Sequence, residues 1–215
     1  MTTKLSGPML PPQAGGAPKS AVVLLHGYGS DGADLIGLGQ YWAASFPHTL
    51  FLAPNGPEPC PGNPFGYQWF ALDLEDRTSR VENGRRAAPV VLEFLADLWS
   101  RTELTPAATV LGGFSQGAMM ALHVGLSLEE PLAGIVAFSG ALDLPEPLPT
   151  ARPPVLLVHG EFDTVVEAAE SARAETELKA RGFDVTHHVS PGIGHSISND
   201  GLDAATVFVR RVLPA

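Results

Sequence analysis

The chain has a single cysteine, Cys60, among 215 residues, so an intrachain disulfide is excluded, as suits a reducing compartment. Basic residues are scarce too: 13 Lys and Arg stand against 23 Asp and Glu, for a formal net charge of −10. Nucleic-acid binding needs clustered cations to neutralise phosphates, and an anionic membrane surface needs the same, so both are disfavoured. No apolar run approaches the roughly 20 residues that span a bilayer. The stretch from Met1 to Ser20 is rich in Pro and Gly and has no continuous apolar centre, so it does not read as a signal peptide. Neither a Gly-rich phosphate loop nor a Cys/His metal cluster is visible, and no repeat of 20–50 residues recurs. Cofactor and metal are therefore both expected to be none, and the expected location is cytoplasmic.

What is present is a β-then-α rhythm. Apolar runs at Ala21–Leu25, Thr49–Ala53, Thr109–Phe114, Gly134–Phe138 and Val155–Val158 read as strands, and Asp184–Val189 alternates as one. Helical spacing covers Val81–Arg101, Gln116–Leu126, Val165–Arg181 and Asp200–Val212. Continuous apolar strands alternating with helices predict an α/β fold, a mostly parallel sheet covered on both faces. The expected organisation is a flexible Pro/Gly-rich segment over 1–19 followed by one domain over 20–215. The stretch from Pro54 to Arg80 lacks periodicity, and loops of that length in compact domains are usually functional or disordered.

Gly113-Phe114-Ser115-Gln116-Gly117 matches G-x-S-x-G, and it follows an apolar strand and opens a helix. That context is what a nucleophile elbow requires, with small residues where the turn approaches its neighbours. A serine that merely caps the helix would explain neither glycine. Serine is a poor nucleophile until a base takes its proton. Of seven histidines, His195 lies in a glycine-rich loop, Pro191–Ser196, between the last strand and the last helix. His187 and His188 fall inside a strand, and His48 and His123 at a strand entry and within a helix, where structural roles are expected. The acid that orients the base should follow an earlier strand, and Asp163 does so. Asp143 is its rival, and Glu161 sits too near the strand end. Ser115, Asp163 and His195 fall in the chain order of α/β-hydrolases. Two backbone N–H groups are expected to form the oxyanion hole: Gln116, following the nucleophile, and Tyr28, in the turn after the first central strand. His26, in that turn, is expected to brace it.

Together Leu25–Gly32 (LHGYGSDG), Ala53–Asn55, Gly112–Ala118 (GGFSQGA), His159–Asp163 (HGEFD) and Gly192–Ile197 (GIGHSI) resemble the phospholipase/carboxylesterase family, the acyl-protein-thioesterase-like branch of α/β-hydrolases. The Pro- and Gly-rich loop resembles bacterial members. The resemblance implies a metal-free hydrolase without a lid domain, acting on short-to-medium acyl esters, lysophospholipids or acyl thioesters. It carries the catalytic roles onto Ser115, Asp163 and His195, and the oxyanion donors onto Tyr28 and Gln116. Phe65, Trp69 and Phe70 in the long loop are candidates to bind substrate, with anchorage of the loop as the competing role. The same apolar loop is a candidate homodimer surface. Cys60 lies outside any G-x-C-x-G context, which disfavours a thiol nucleophile. The competing reading of the whole chain is a non-catalytic ligand-binding protein on a hydrolase fold.

Overall fold

A computed structural model describes residues 4–73 and 76–213. Residues 1–3 of the N-terminal segment, 74–75 of the long loop and 214–215 of the domain range lie outside the described residues. In chain order the elements are β1 (Met9–Leu10), β2 (Ser20–Leu25), α1 (Gly32–Trp42), β3 (Thr49–Leu52), β4 (Glu58–Cys60), β5 (Asn63–Gln68), α2 (Arg77–Thr102), β6 (Thr109–Phe114), α3 (Gln116–Ser127), β7 (Gly134–Phe138), β8 (Val155–Gly160), α4 (Ala169–Ala180), β9 (Val185–Ser190) and α5 (Asn199–Val212).

Seven strands form one sheet in the order β1-β3-β2-β6-β7-β8-β9, and all pairs are parallel except β1 on β3. The continuous apolar runs follow from burial on both faces. Ala21, Val23 and Leu25 of β2 face one core, with Leu95 of α2, Leu122 of α3 and Leu178 of α4. Val22 and Leu24 face the other, with Leu35 and Trp42 of α1 and Phe208 of α5. The chain leaves β2 toward β3 on one side and leaves β6 toward β7 on the other. The sheet order therefore reverses between β2 and β6, where open α/β sheets form a crevice at the carboxyl ends of their strands. The loop at His26–Ser30 and Ser115 occupy those two ends.

The structure departs from the sequence reading at four places. In the described part of the segment over 1–19, Met9 and Leu10 pair with Leu52 and Phe51, and Leu5 is buried. A two-residue strand among prolines leaves no alternation to read. The long loop contains the hairpin β4–β5, whose prolines, Pro59 and Pro64, mask its strand character. The helix expected from Val165 begins at Ala169, because Asp163 draws the amides of Val165 and Val166 into a turn. The helix expected from Val81 begins earlier, at Arg77, where the Asp76 side chain accepts from Ser79 N–H.

Candidate active site

Ser115 follows the last residue of β6 and caps α3 with φ 53° and ψ −117°. A positive φ is costly for any residue with a Cβ and persists only where the surroundings enforce it. Here Ser115 N–H donates to Phe138 O at 2.8 Å and Ser115 O accepts from Met119 N–H at 3.1 Å. The flanking glycines make the turn sterically possible. A Cβ on Gly113 would run into the backbone of Gly117, and one on Gly117 into the carbonyl oxygens of Leu25 and His26. Close passage of α3 under the end of β2 thus presents Ser115 beside the His26–Ser30 loop. At Gly27 an added Cβ would meet the Phe114 ring at 3.2 Å, tighter than ordinary contact, and Ser115 Cβ at 3.5 Å.

The structure brings His195 and Asp163 together from separate loops: His195 Nδ1 lies 2.7 Å from Asp163 Oδ2. Oδ1 of the same carboxylate accepts from the amides of Val165 at 2.9 Å and Val166 at 3.0 Å. Burial pushes the Asp163 carboxyl up, but the His195 hydrogen bond and the two amides outweigh it and hold it below its ordinary value. The carboxylate is therefore ionised and fixed, with one oxygen committed to the turn and the other to the imidazole. Phe114, immediately before Ser115, packs its ring 4.8 Å from that of His195 and links the histidine loop to the elbow. Glu161 holds the loop from the other side, accepting from Gly192 N–H at 2.9 Å.

Gln116 N–H is the first amide of α3 and, like the opening amides of any helix, has no acceptor within the helix. The positive end of the helix dipole lies at the same place. Tyr28 sits in the turn after β2 and is 40% exposed, and the neighbouring Cys60 raises the pKa of its phenol. Its loop is stitched to the hairpin: Gly29 N–H donates to Tyr67 O at 2.9 Å, and Tyr67 N–H to Ser30 O at 2.7 Å. His26 braces the same turn from below. Its Nε2 accepts from Gly56 N–H at 2.8 Å, which assigns the proton to Nδ1, 2.8 Å from Gly27 O. Burial lowers its pKa and keeps the ring neutral.

The aromatic candidates part ways. Trp69 is 1% exposed and Phe70 5%, both within the main core, while Phe65 at the hairpin is 87% exposed. Trp69 Nε1–H donates to His26 O at 2.8 Å, so this indole anchors the loop to the turn that carries Tyr28. Trp69 and Phe70 thus anchor the loop, and with Pro57, Asn83 and Val90 both also line a cavity. Asp143, the rival acid, is claimed by a buried ion pair with Arg80, Nε to Oδ2 at 2.8 Å, and by Arg77 at 3.4 Å. His187 lies between Ser171 and Glu175, and His188 against Asp200, away from Asp163.

Two features escaped the sequence reading. The Gln116 side chain accepts from Trp69 N–H at 3.0 Å and donates to Phe70 O at 2.7 Å, tying the elbow to the long loop. His159 lies buried on β8 beside Asp163. Each sits in a motif already singled out, but neither residue type reveals its partner.

Residues 13–213 match the family described as Phospholipase/Carboxylesterase. The chain is 32% identical over 195 residues to an esterase of Escherichia coli, YpfH, covering 90% of this chain and 83% of that one. It is 28% identical to the acyl-protein thioesterase 1 of Gibberella zeae, covering 91% of each. Among solved structures, esterase PE8 matches with a TM-score of 0.93 and 56% identity over 98% of this chain and all of that one (100%).

Proposed function

The chain belongs to the phospholipase/carboxylesterase family, and from that premise we propose that it hydrolyses carboxylic esters through an acyl-enzyme on Ser115. It is a serine hydrolase of the carboxylesterase class, and acyl thioesters and lysophospholipids are compatible substrates. The observation that carries the assignment of residues is the 2.7 Å contact between His195 Nδ1 and Asp163 Oδ2, made beside an elbow serine held at positive φ.

In the first half-reaction Ser115 Oγ attacks the acyl carbonyl carbon while His195 takes the hydroxyl proton through Nε2. The carbonyl oxygen becomes an oxyanion, held by the N–H groups of Gln116 and Tyr28 at the positive end of α3. The imidazolium, stabilised by ionised Asp163, returns the proton to the leaving alcohol or thiol as the tetrahedral species collapses. Water then repeats the sequence on the acyl-enzyme, releases the acid and restores Ser115. No metal or cofactor enters these steps.

A short-to-medium acyl ester is the proposed substrate, with Phe65, Trp69 and Phe70 the aromatic candidates to touch it. The exposed hairpin tip is also where a homodimer would form, which sedimentation tests directly. Among the described residues no helix is long and apolar enough to cross a membrane; a cytoplasmic location completes the proposal and suits the one buried thiol. The test is hydrolysis of a p-nitrophenyl ester series by the native protein and by Ser115→Ala. Native turnover that Ser115→Ala abolishes while remaining folded supports the reading, and equal turnover by both sinks it.

A further inference from the structure

Asp163 stands between two imidazoles. His195 Nδ1 approaches Oδ2 at 2.7 Å, and His159 Nε2 lies 3.4 Å from the same oxygen. His159 belongs to β8, four residues before Asp163, and its side chain is fully buried.

The protonation of His159 follows from its neighbours. Nε2 lies 2.7 Å from Val166 O, and a carbonyl can only accept, so the proton is on Nε2. Nδ1 is buried without a hydrogen-bond partner among the described residues, where a second proton would have nothing to bond. Burial lowers the proton affinity of the ring further, outweighing the Val166 carbonyl and Asp163. The ring is a neutral N–H donor.

That donor closes a small circuit. His159 Nε2–H fixes the carbonyl of Val166, and Val166 and Val165 in turn present their N–H groups to Asp163 Oδ1. With Oδ1 held, Oδ2 faces His195. Without the donor, Val166 O would be buried unpaired and the 163–166 turn would relax to find a partner, taking the carboxylate with it.

We propose that His159 is a positioning residue for the hydrolytic reaction: its Nε2–H locks the 163–166 turn on Val166 O and thereby aims Asp163 Oδ2 at His195. The inference rests on the roles proposed for Ser115, Asp163 and His195. Neutrality is part of the device. The titratable groups that face His159 are Asp163 and His195, with His187 of β9 beyond them. A second positive ring beside Asp163 would compete with the His195 imidazolium for the same carboxylate.

The test uses the full chain with His159→Leu, which removes the donor, and His159→Gln, whose amide N–H reaches close to the place of Nε2. Ser115→Ala is the control. Rates on p-nitrophenyl butyrate are followed over about pH 5 to 8, where histidine titrates. His159→Leu is expected to lower kcat about ten- to hundredfold with KM little changed, the scale of a small misplacement of a catalytic group. Its acid limb moves to lower pH, because a carboxylate no longer aimed at His195 supports the imidazolium less. His159→Gln is expected to restore most of kcat and the native limb. A folded His159→Leu with native kcat and an unmoved limb overturns the proposal, as does equal loss in both variants. Should His159→Leu fail to fold, ring 15N shifts of the native protein decide: a neutral Nε2–H tautomer throughout supports the proposal, and an Nδ1–H tautomer or titration in that range overturns it. Activity surviving in Ser115→Ala removes the functional reading itself. An inactive Ser115→Ala beside a native-like His159→Leu removes only this inference.

Discussion

The side-chain amide of Gln116 accepts a hydrogen bond from the backbone N–H of Trp69 at 3.0 Å, so the residue whose own N–H is the proposed oxyanion donor also clamps the long loop. Its Nε2 completes the clamp on Phe70 O. Elbow and loop are thereby tied through one side chain. Gln116→Ala leaves both loop groups buried and unpaired, at about 1–3 kcal/mol each. Thermal unfolding should drop by at least about 4 °C, and kcat should fall although the backbone N–H remains. An unchanged melting temperature would show that the clamp contributes nothing.

Two glycines should respond in opposite directions. Gly117 has no room for a methyl group against Leu25 O and His26 O, so Gly117→Ala is expected to prevent folding or cost several kcal/mol, on the scale of about 1–3 or more for overpacking. Gly37 lies exposed within α1 with nothing within 4 Å of an added Cβ. Gly37→Ala should stabilise by about 0.5–1 kcal/mol, because alanine loses less backbone entropy in a helix. Denaturant midpoints of both variants check the pair.

The two buried aspartates separate catalysis from stability. Asp163→Asn keeps the shape of the carboxylate but loses its charge and reverses the tautomer of His195, so kcat should fall by about ten thousandfold. Asp143→Ala strands the buried guanidinium of Arg80, at about 3–5 kcal/mol. Residual activity of the folded fraction should remain near native. Equal losses of kcat in the two variants would contradict the assignment of Asp163 over Asp143.

Acid should weaken the fold from near neutrality downward. His26 and His159 are both held below the ordinary histidine value of 6.5 by burial. As pH falls below that value the unfolded chain takes up protons that the folded rings refuse, so the unfolded state gains and stability declines. Asp163 adds to this at lower pH: its contribution is present above the ordinary value of 3.8 and is lost as pH falls through its lower folded value. A urea midpoint lower at about pH 5 than at about pH 8 is expected. An equal or higher midpoint at the lower pH would contradict neutral burial of the two rings.

Much of this was legible because the fold writes itself in runs. Strands buried on both faces call for apolar runs, and Ala21–Leu25 of β2, Val110–Phe114 of β6, β7 and Val155–Val158 of β8 are such runs. The elbow shows in Gly113 and Gly117 because no side chain fits there. Helix α1 passed unmarked since Gly32, Gly37 and Gly39 dilute its pattern, and β1, β4 and β5 hide among prolines. Partners were the hardest to read. Trp69 reads equally well as a pocket wall and as an anchor, and only the structure reveals the contact of its indole with His26 O. His159 reads as one more buried histidine until Val166 O and Asp163 are seen beside it.

The central claim is that Ser115 is the nucleophile, and labelling with a fluorophosphonate probe followed by mass spectrometry of the modified peptide tests it most directly. The phosphonyl group is expected on Ser115, with ester hydrolysis lost in step with labelling and no labelling of His195→Ala. A folded protein that hydrolyses esters while the probe settles on another residue, or that takes up no probe and turns over no ester, would contradict it.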